Sequence, residues 1–312
     1  MRKFLSKISL FIIIFSGIYF LFFYLVQDGI RNSDYQDFAE WNDIYSGEIN
    51  SDLIIMGSSR AWRQVDPQII DEKLGCNSYN LGIDGYHIPM QLTKYEIYLE
   101  SNRLPERMIY IVDHFSFDKR EDLFNKIQFA PYFNDTILTK RLKSYEGYKW
   151  QHYNTPYFQY SGSKEVALAG LTESLGLKDF KSNKFKGFRS KDQSWENDFD
   201  VERELNPEGK RAKVQAEVVN EFQLFLEEQK KLGVEVVVVY SPDYIGFQDY
   251  IINRDSVMQI YEDITQKLDI DFIDFSRHYL SQEKDYFYNP THLNSKGAEI
   301  FTNELTLIIE SE

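Results

Sequence analysis

An uncharged apolar stretch at residues 8–26 is the strongest hydrophobic pattern in the chain. About twenty apolar residues in a helix span the hydrocarbon core of a bilayer. No pair of small residues typical of a cleavage site follows this stretch, which favours a retained transmembrane anchor over a signal peptide. Arg2, Lys3 and Lys7 precede the stretch and acidic residues follow it. The positive-inside rule therefore places residues 1–30 as a cytoplasmic tip and anchor, and 31–312 outside the cell membrane.

Shorter apolar runs occur in the rest of the chain. They predict buried strands at 53–56, 108–112, 234–240 and 270–274. Apolar residues at helical spacing predict helices at 90–99, 212–232 and 295–309. Short buried strands separated by helical stretches are typical of parallel sheets with helical crossovers. The sequence therefore predicts an α/β fold, a three-layer α/β/α arrangement with a mostly parallel sheet, preceded by one transmembrane helix.

Between about residues 117 and 208 the periodic pattern gives way to aromatic and charged sequence. Simple connections between sheet elements are short, so this segment predicts an insertion within a single domain at 31–312. Its aromatic faces suit stacking on sugar rings or a partner interface, although ordinary burial in a core is the commoner use of such residues.

Composition and charge exclude several classes of function. The chain has 35 Lys and Arg against 49 Asp and Glu, and a net charge of −14 excludes a generic nucleic-acid binder. Cys76 is the single cysteine, which excludes a disulfide framework and a cysteine-rich metal cluster. The histidine spacing matches no metal-ligand motif, so we expect neither a metal nor a cofactor. Such an acidic surface favours a neutral glycan, or a charged one bound at a local basic patch.

Candidate chemistry follows the predicted strands, because ligands of open parallel sheets bind beyond the carboxyl ends of the strands. Ser59 lies in a Gly-Ser-Ser turn after the first strand, where a serine before a helix is exposed. Asn80 and Gly85 lie in a glycine-containing stretch that permits close backbone approach to a ligand. His292 lies in a loop before the last helix, three residues after Asn289. Taken alone, the Gly-Ser-Ser turn is more often an ordinary turn or helix cap, and the glycine-containing stretch is more often an ordinary turn.

Taken in this order, the pieces resemble the SGNH/GDSL hydrolase superfamily over about residues 50–310. The resemblance implies an SGNH-hydrolase-like fold in which Ser59 is the nucleophile and His292 its base. It also implies that the amides of Ser59 and Gly85 hold the oxyanion. Asn289 stands where the family has aspartate, and an amide orients the imidazole without a charge to stabilise its protonated form. Asp285 is a second candidate partner by its nearness in sequence.

The third block of the family, Gly-x-Asn-Asp, is replaced here by Asp113 and His114. A neutral His114 can donate an N–H to the oxyanion, whereas Asp113 repels it unless protonated or turned aside.

Two arginines follow the candidate nucleophile, Arg60 and Arg63. Either can bind a substrate carboxylate or phosphate, and either can instead form a structural ion pair with Asp66 or Asp84.

The Gly-Ser-Ser-Arg form and the single anchor look most like the branch of the superfamily that works with membrane-bound O-acyltransferases. This branch includes the D-alanine transfer protein of teichoic acid modification and the alginate O-acetylation proteins. The resemblance implies a membrane-anchored serine O-acyltransferase or esterase, with acetyl as the default group. Its acceptor would be a polysaccharide or other hydroxylated molecule, and its partner a membrane-bound O-acyltransferase. The alternative is a weakly active or inactive domain that binds glycan or scaffolds the acyltransferase complex.

Overall fold

The computed structural model describes residues 1–181 and 184–311 and divides into two compact units. Unit 1 comprises Met1–Ser46 and Glu121–Ser182, and unit 2 comprises Gly47–Arg120 and Asn183–Glu312. Unit 1 thus joins the residues that follow the apolar stretch to the middle of the chain.

The elements follow the apolar patterns closely. The helices are α1 (Arg2–Arg31), α2 (Phe38–Ser46), α3 (Ser59–Gln64), α4 (Pro67–Leu74), α5 (Ile88–Ser101), α6 (Thr136–Leu142), α7 (Trp150–Asn154), α8 (Pro156–Gln159), α9 (Lys164–Ser174), α10 (Asp198–Leu205), α11 (Ala216–Leu232), α12 (Ile245–Gln248), α13 (Arg254–Leu268) and α14 (Ser295–Ser311). Short 3-10 helices lie at Lys126–Tyr132, Tyr279–Gln282 and Lys284–Tyr286. The strands are β1 (Leu53–Met56), β2 (Ser78–Asn80), β3 (Arg107–Val112), β4 (Glu235–Tyr240), β5 (Asp271–Asp274), β6 (Phe287–Asn289) and β7 (His292–Leu293).

Unit 2 is built on a five-stranded parallel sheet with the strand order β2-β1-β3-β4-β5. The register pairs Ile54 of β1 with Met108 of β3, and Tyr110 of β3 with Val238 of β4. In this order the chain winds outward in both directions from β1 and β3. Ligands of open α/β sheets bind in the crevice at such a switch point, beyond the carboxyl ends of the strands.

Helices cover both faces of this sheet. On one face, Ile55 and Ile111 join Phe301 of α14 in one buried cluster, and α14 also contacts α3 and α4. On the other face, the rings of Tyr110 and Phe222 of α11 are 5.2 Å apart, and α11 contacts α5 and α13. Full burial of one such side chain contributes about 1.5–3 kcal/mol. The predicted α/β fold with a mostly parallel sheet and flanking helices is confirmed.

A small antiparallel hairpin lies outside the main sheet. Its strands β6 and β7 pair Phe287 with Leu293 and Asn289 with His292. Apolar periodicity does not predict this hairpin, because strands this short contain too few residues to show alternation. The hairpin places Asn289 directly across from His292.

Unit 1 is organised around the carboxyl end of α1. Most of the apolar part of α1 is exposed, and α1 is the one helix of the described residues long and apolar enough to cross a membrane. Its last turns are buried at Val26, Gly29 and Ile30, where α9 packs against them. A Cβ added to Gly170 of α9 would lie 2.3 Å from the Val26 carbonyl oxygen, so the two backbones approach more closely than a larger side chain allows.

Candidate active site

The turn after β1 presents Ser59 at the start of a helix. Gly57 adopts a φ of +142°, and an added Cβ there would lie 2.5 Å from the Ile111 carbonyl oxygen. Ser58 caps α3, since its Oγ accepts from the Arg60 amide at 3.2 Å. Ser59 is therefore the first residue of α3, beyond the carboxyl end of β1.

The structure brings Ser59, His292 and Asn289 into one hydrogen-bonded line. The Ser59 Oγ lies 2.7 Å from His292 Nε2, and His292 Nδ1 lies 2.9 Å from Asn289 Oδ1. These are the contacts of a nucleophile, a base and an orienting group. Asn289, and not Asp285, takes the third place, since Asn289 Oδ1 is the carbonyl oxygen beside His292 Nδ1 and the Asp285 residue is exposed.

The hydrogen bonds around Asn289 fix the tautomer of His292. The oxygen of the Asn289 amide also accepts from the backbone amides of Thr291 at 3.1 Å and His292 at 3.0 Å, which identifies that atom as oxygen. An amide oxygen only accepts, so Nδ1 of His292 carries the proton and donates it. Nε2 is then the unprotonated nitrogen, and it accepts from the Ser59 hydroxyl. Thr291 Oγ1 lies 3.0 Å from the same Nδ1.

The imidazole is held neutral. Burial lowers the pKa of His292 to about 3, and the charges of Arg60, Arg63 and Lys191 act in the same direction. Burial and like charges both disfavour the protonated form of histidine. His292 is therefore available as a base throughout the neutral pH range.

Arg60 is enclosed in the protein and does not face a substrate. Its side chain is completely buried, with Nε 3.2 Å from Asp113 Oδ1 and Nη1 3.8 Å from Asp243 Oδ2. Nη2 donates to the Ser241 carbonyl, and the guanidinium lies 4.7 Å from the centre of the Tyr240 ring. The prediction of Arg60 as a substrate-binding residue is therefore wrong. Arg60 forms ion pairs with two buried carboxylates, and these differ from the two aspartates considered from the sequence, Asp66 and Asp84.

Asp113 is turned aside from the nucleophile. Its Oδ2 accepts from the Ser58 hydroxyl at 2.6 Å, and its Oδ1 faces Arg60. The carboxylate thus supports the turn that carries Ser59, and Ser58 links the helix cap to β3.

Asn80 is also a support for the turn and is not exposed to a ligand. Its side-chain amide donates to the carbonyls of Ala61 and Val65 at 2.7 and 2.8 Å, and its Oδ1 accepts from the Gly82 amide at 2.9 Å. The side chain is fully buried, which corrects its predicted role in binding. All three bonds hold the β2 loop against α3.

Gly85 and His114 lie in the loops after β2 and β3. Gly85 has a φ of +72°, and the Ile83 amide of the same loop donates to the Gly57 carbonyl at 3.0 Å. His114 is buried with its ring edge-on to Phe247, the centroids being 5.3 Å apart. Burial, together with two nearby arginines, lowers the pKa of His114 to about 3, so its ring is neutral.

Sequence reasoning missed several neighbours of His292. Tyr288 stacks on the imidazole with centroids 5.4 Å apart and planes 14° apart, and Lys191 lies 4.3 Å above the Tyr288 ring. Gln64 of α3 donates to the Thr291 carbonyl at 2.9 Å and so ties the two halves of the site together. The only sequence signal for Tyr288 and Thr291 is their nearness to His292 along the chain. For Lys191 the sequence contains no such signal.

Comparison with known proteins finds similarity in overall structure alone. No family model and no curated protein sequence matches the chain. Among solved structures, the chain is similar to a GDSL-like lipase from Bacteroides thetaiotaomicron, with 10% identity, 83% of this chain and 87% of that chain covered, and a TM-score of 0.39. It is also similar to a carbohydrate acetylesterase family member from Sinorhizobium meliloti, with 10% identity, 83% and 97% covered, and a TM-score of 0.35. At these values the likeness carries no argument about activity, which must come from the site itself.

Proposed function

We propose that the protein is a membrane-anchored serine esterase or O-acyltransferase that works through an acyl-Ser59 intermediate. The observation that carries the proposal is the Ser59 hydroxyl 2.7 Å from the unprotonated Nε2 of His292. A neutral serine hydroxyl is a poor nucleophile without such a base.

The proposed reaction has two halves. Ser59 Oγ attacks the acyl carbonyl while His292 Nε2 takes the hydroxyl proton. The protonated His292 gives this proton to the leaving oxygen as the bond to the first alcohol breaks. An acceptor hydroxyl, from a glycan or from water, then loses its proton to His292 and attacks the acyl-serine. The bond between the acyl carbon and Ser59 Oγ breaks, and His292 returns the proton to Oγ, which restores the Ser59 hydroxyl and the neutral imidazole.

The negative charge on the carbonyl oxygen needs donors in both halves. We assign this role to the backbone amides of Ser59 and Gly85, with the neutral ring of His114 as a third donor. Two structural features support the assignment: Asp113 is turned toward Ser58 and Arg60, and Gly85 has no side chain to cover its backbone and adopts a left-handed conformation suited to glycine.

The proposal includes the predicted location and partners. The exposed apolar part of α1 suits a membrane span, with the amino end in the cytoplasm and residues 31–312 outside. Outside the cytoplasm we propose a polysaccharide or other hydroxylated acceptor, acetyl as the acyl group and a membrane-bound O-acyltransferase as its source.

Asn289 favours a second candidate function. Both halves of the reaction form a protonated His292. The neutral Asn289 amide gives this cation no compensating negative charge. A weakly active or inactive domain that binds glycan or scaffolds an acyltransferase complex is consistent with this residue.

Turnover of a chromogenic acetyl ester by the full chain in detergent separates the two candidates. We expect Ser59→Ala and His292→Ala to abolish turnover, and Ser161→Ala, in an exposed turn of unit 1, to leave it unchanged. Absence of turnover in the folded parent chain would support the scaffold, as would equal turnover in the parent and Ser59→Ala.

A further inference from the structure

Two cations near the candidate site have no carboxylate partner among the described residues. They are Arg63 and Lys191, both half-buried. The chain has 49 acidic residues against 35 basic ones, so carboxylates outnumber the cations that could pair with them. Their contacts with the protein are to aromatic rings and to backbone oxygen.

Arg63 belongs to the helix of the nucleophile. It lies four residues after Ser59 in α3, and residues at this spacing share one face of a helix. Its guanidinium lies 3.9 Å from the centre of the Trp62 ring, and Nη1 donates to the Arg189 carbonyl at 3.2 Å. The ring and the carbonyl hold the side chain in place while its remaining donors stay available.

Lys191 belongs to the histidine side of the site. Its backbone carbonyl accepts from the Ser295 amide at 3.1 Å, just after the hairpin that carries His292. Its ammonium group lies 4.3 Å above Tyr288, and Tyr288 stacks on His292. Lys191 and the imidazole of His292 therefore both contact the Tyr288 ring.

The charges of Arg63 and Lys191 both act on His292. Arg60, Arg63 and Lys191 all disfavour the protonated form of His292, and Arg60 is paired with two buried carboxylates. Arg63 also acts on the hydroxyl of Tyr288, as do the carboxylates of Asp84 and Glu196. Arg63 and Lys191 therefore both lie close enough to the imidazole to act on it, and neither has a carboxylate partner among the described residues.

We infer that Arg63 and Lys191 form a subsite for an anionic group, carboxylate or phosphate, on the ester or acceptor whose acyl group reaches Ser59. This inference rests on the proposed function and names its substrate class. A guanidinium binds such a group through paired N–H donors, and an ammonium supplies a point charge. The two cations are a local basic patch on a chain whose net charge is −14.

Equilibrium binding to the Ser59→Ala full chain in nonionic detergent tests the subsite without turnover. The probes are 4-acetoxybenzoate, 4-acetoxyphenyl phosphate and the neutral methyl ester of 4-acetoxybenzoate. The dissociation constant of each probe is measured by ligand-observed NMR. We expect an anionic probe to bind about tenfold more tightly than the neutral one, the ratio typical of a charge-assisted hydrogen bond. The anion that shows the larger preference identifies the group.

Further substitutions in the Ser59→Ala chain identify the residues responsible for the preference for anionic probes. Arg63→Gln and Lys191→Gln should each remove most of it, whereas Arg63→Lys should retain part of it. Lys296→Gln is the matched control, because its ammonium lies 4.9 Å above the Tyr286 ring in a similar contact outside the proposed subsite. An unchanged preference in both glutamine variants overturns the inference, and so does equal binding of all three probes to the Ser59→Ala chain.

Turnover of the same esters by the chain with Ser59 restored tests the proposed function separately. Binding preference without turnover contradicts the esterase and leaves the subsite standing. Turnover without preference contradicts the subsite and leaves the esterase standing.

Discussion

Replacing Asn289 by aspartate puts a carboxylate beside His292 with almost no change in side-chain size. The Asn289 oxygen already accepts from His292 Nδ1 at 2.9 Å and from two backbone amides. A carboxylate is the stronger acceptor in all three bonds, so we expect the hairpin to keep its geometry.

The size of the effect follows from Coulomb's law. Two unit charges about 4 Å apart attract by about 4 kcal/mol at an effective dielectric constant of 20. That energy corresponds to an upward shift of about three pKa units for the imidazole. From a starting pKa of about 3, the pKa of His292 should return to its ordinary range. We expect kcat/KM for a neutral acetyl ester at pH 7 to rise by roughly tenfold to a thousandfold, because the protonated histidine is stabilised in each step.

The assay is kcat/KM as a function of pH, together with NMR titration of His292. The gain in Asn289→Asp should be present at pH 7 and disappear on acidification, because the histidine with the raised pKa protonates first. Asn303→Asp adds the same charge on the exposed side of α14 and should change little. A tenfold or larger fall at pH 7 in a folded Asn289→Asp chain would refute the reasoning, since the pocket would then depend on the amide itself.

Further predictions concern pH, the buried ion pairs and the anchor. Because the pKa of His292 is about 3, the parent chain should keep a constant kcat/KM for a neutral ester between about pH 5 and 8, and an inflection near 6.5 would contradict the lowered pKa. Arg60→Met leaves two buried carboxylates unpaired and should lower the free energy of unfolding by about 3–5 kcal/mol, against less than about 1 for the exposed Arg103→Met, measured by urea denaturation. Gly170→Leu should separate α9 from α1 and speed hydrogen exchange at the end of α1, whereas Gly17→Leu, with no atom within 4 Å of an added Cβ, should not; equal exchange in both variants would refute this packing.

The sheet was predictable because its central strands are apolar runs bounded by turn residues. β4 begins one residue from its predicted start and ends where predicted, and Gly233 ends the preceding helix in the left-handed conformation. Buried parallel strands show this pattern in the residues themselves. The division into two units was not predictable in this way, since it depends on contacts between α1 and the distant α9.

Within the candidate site, sequence reasoning located the residues that lie in a motif and misjudged those defined by distant partners. Ser59 and His292 are adjacent in space as the resemblance implied, with Asn289 at the imidazole. Arg60 pairs with Asp113 and Asp243, which lie on two later segments of the chain. The sequence around Arg60 therefore gives no sign of these partners. A polar residue next to a motif can support the turn as readily as it can bind a ligand.

The most direct test of the proposed mechanism is the mass of the acyl-enzyme. The full chain in detergent is mixed with a chromogenic acetyl ester, quenched in acid, and analysed by intact mass and peptide mapping. We predict a mass increase of one acetyl group, located on Ser59, in the parent chain and absent from Ser59→Ala. A folded parent chain with no adduct and no ester turnover, or an adduct that persists in Ser59→Ala, would contradict Ser59 as the nucleophile.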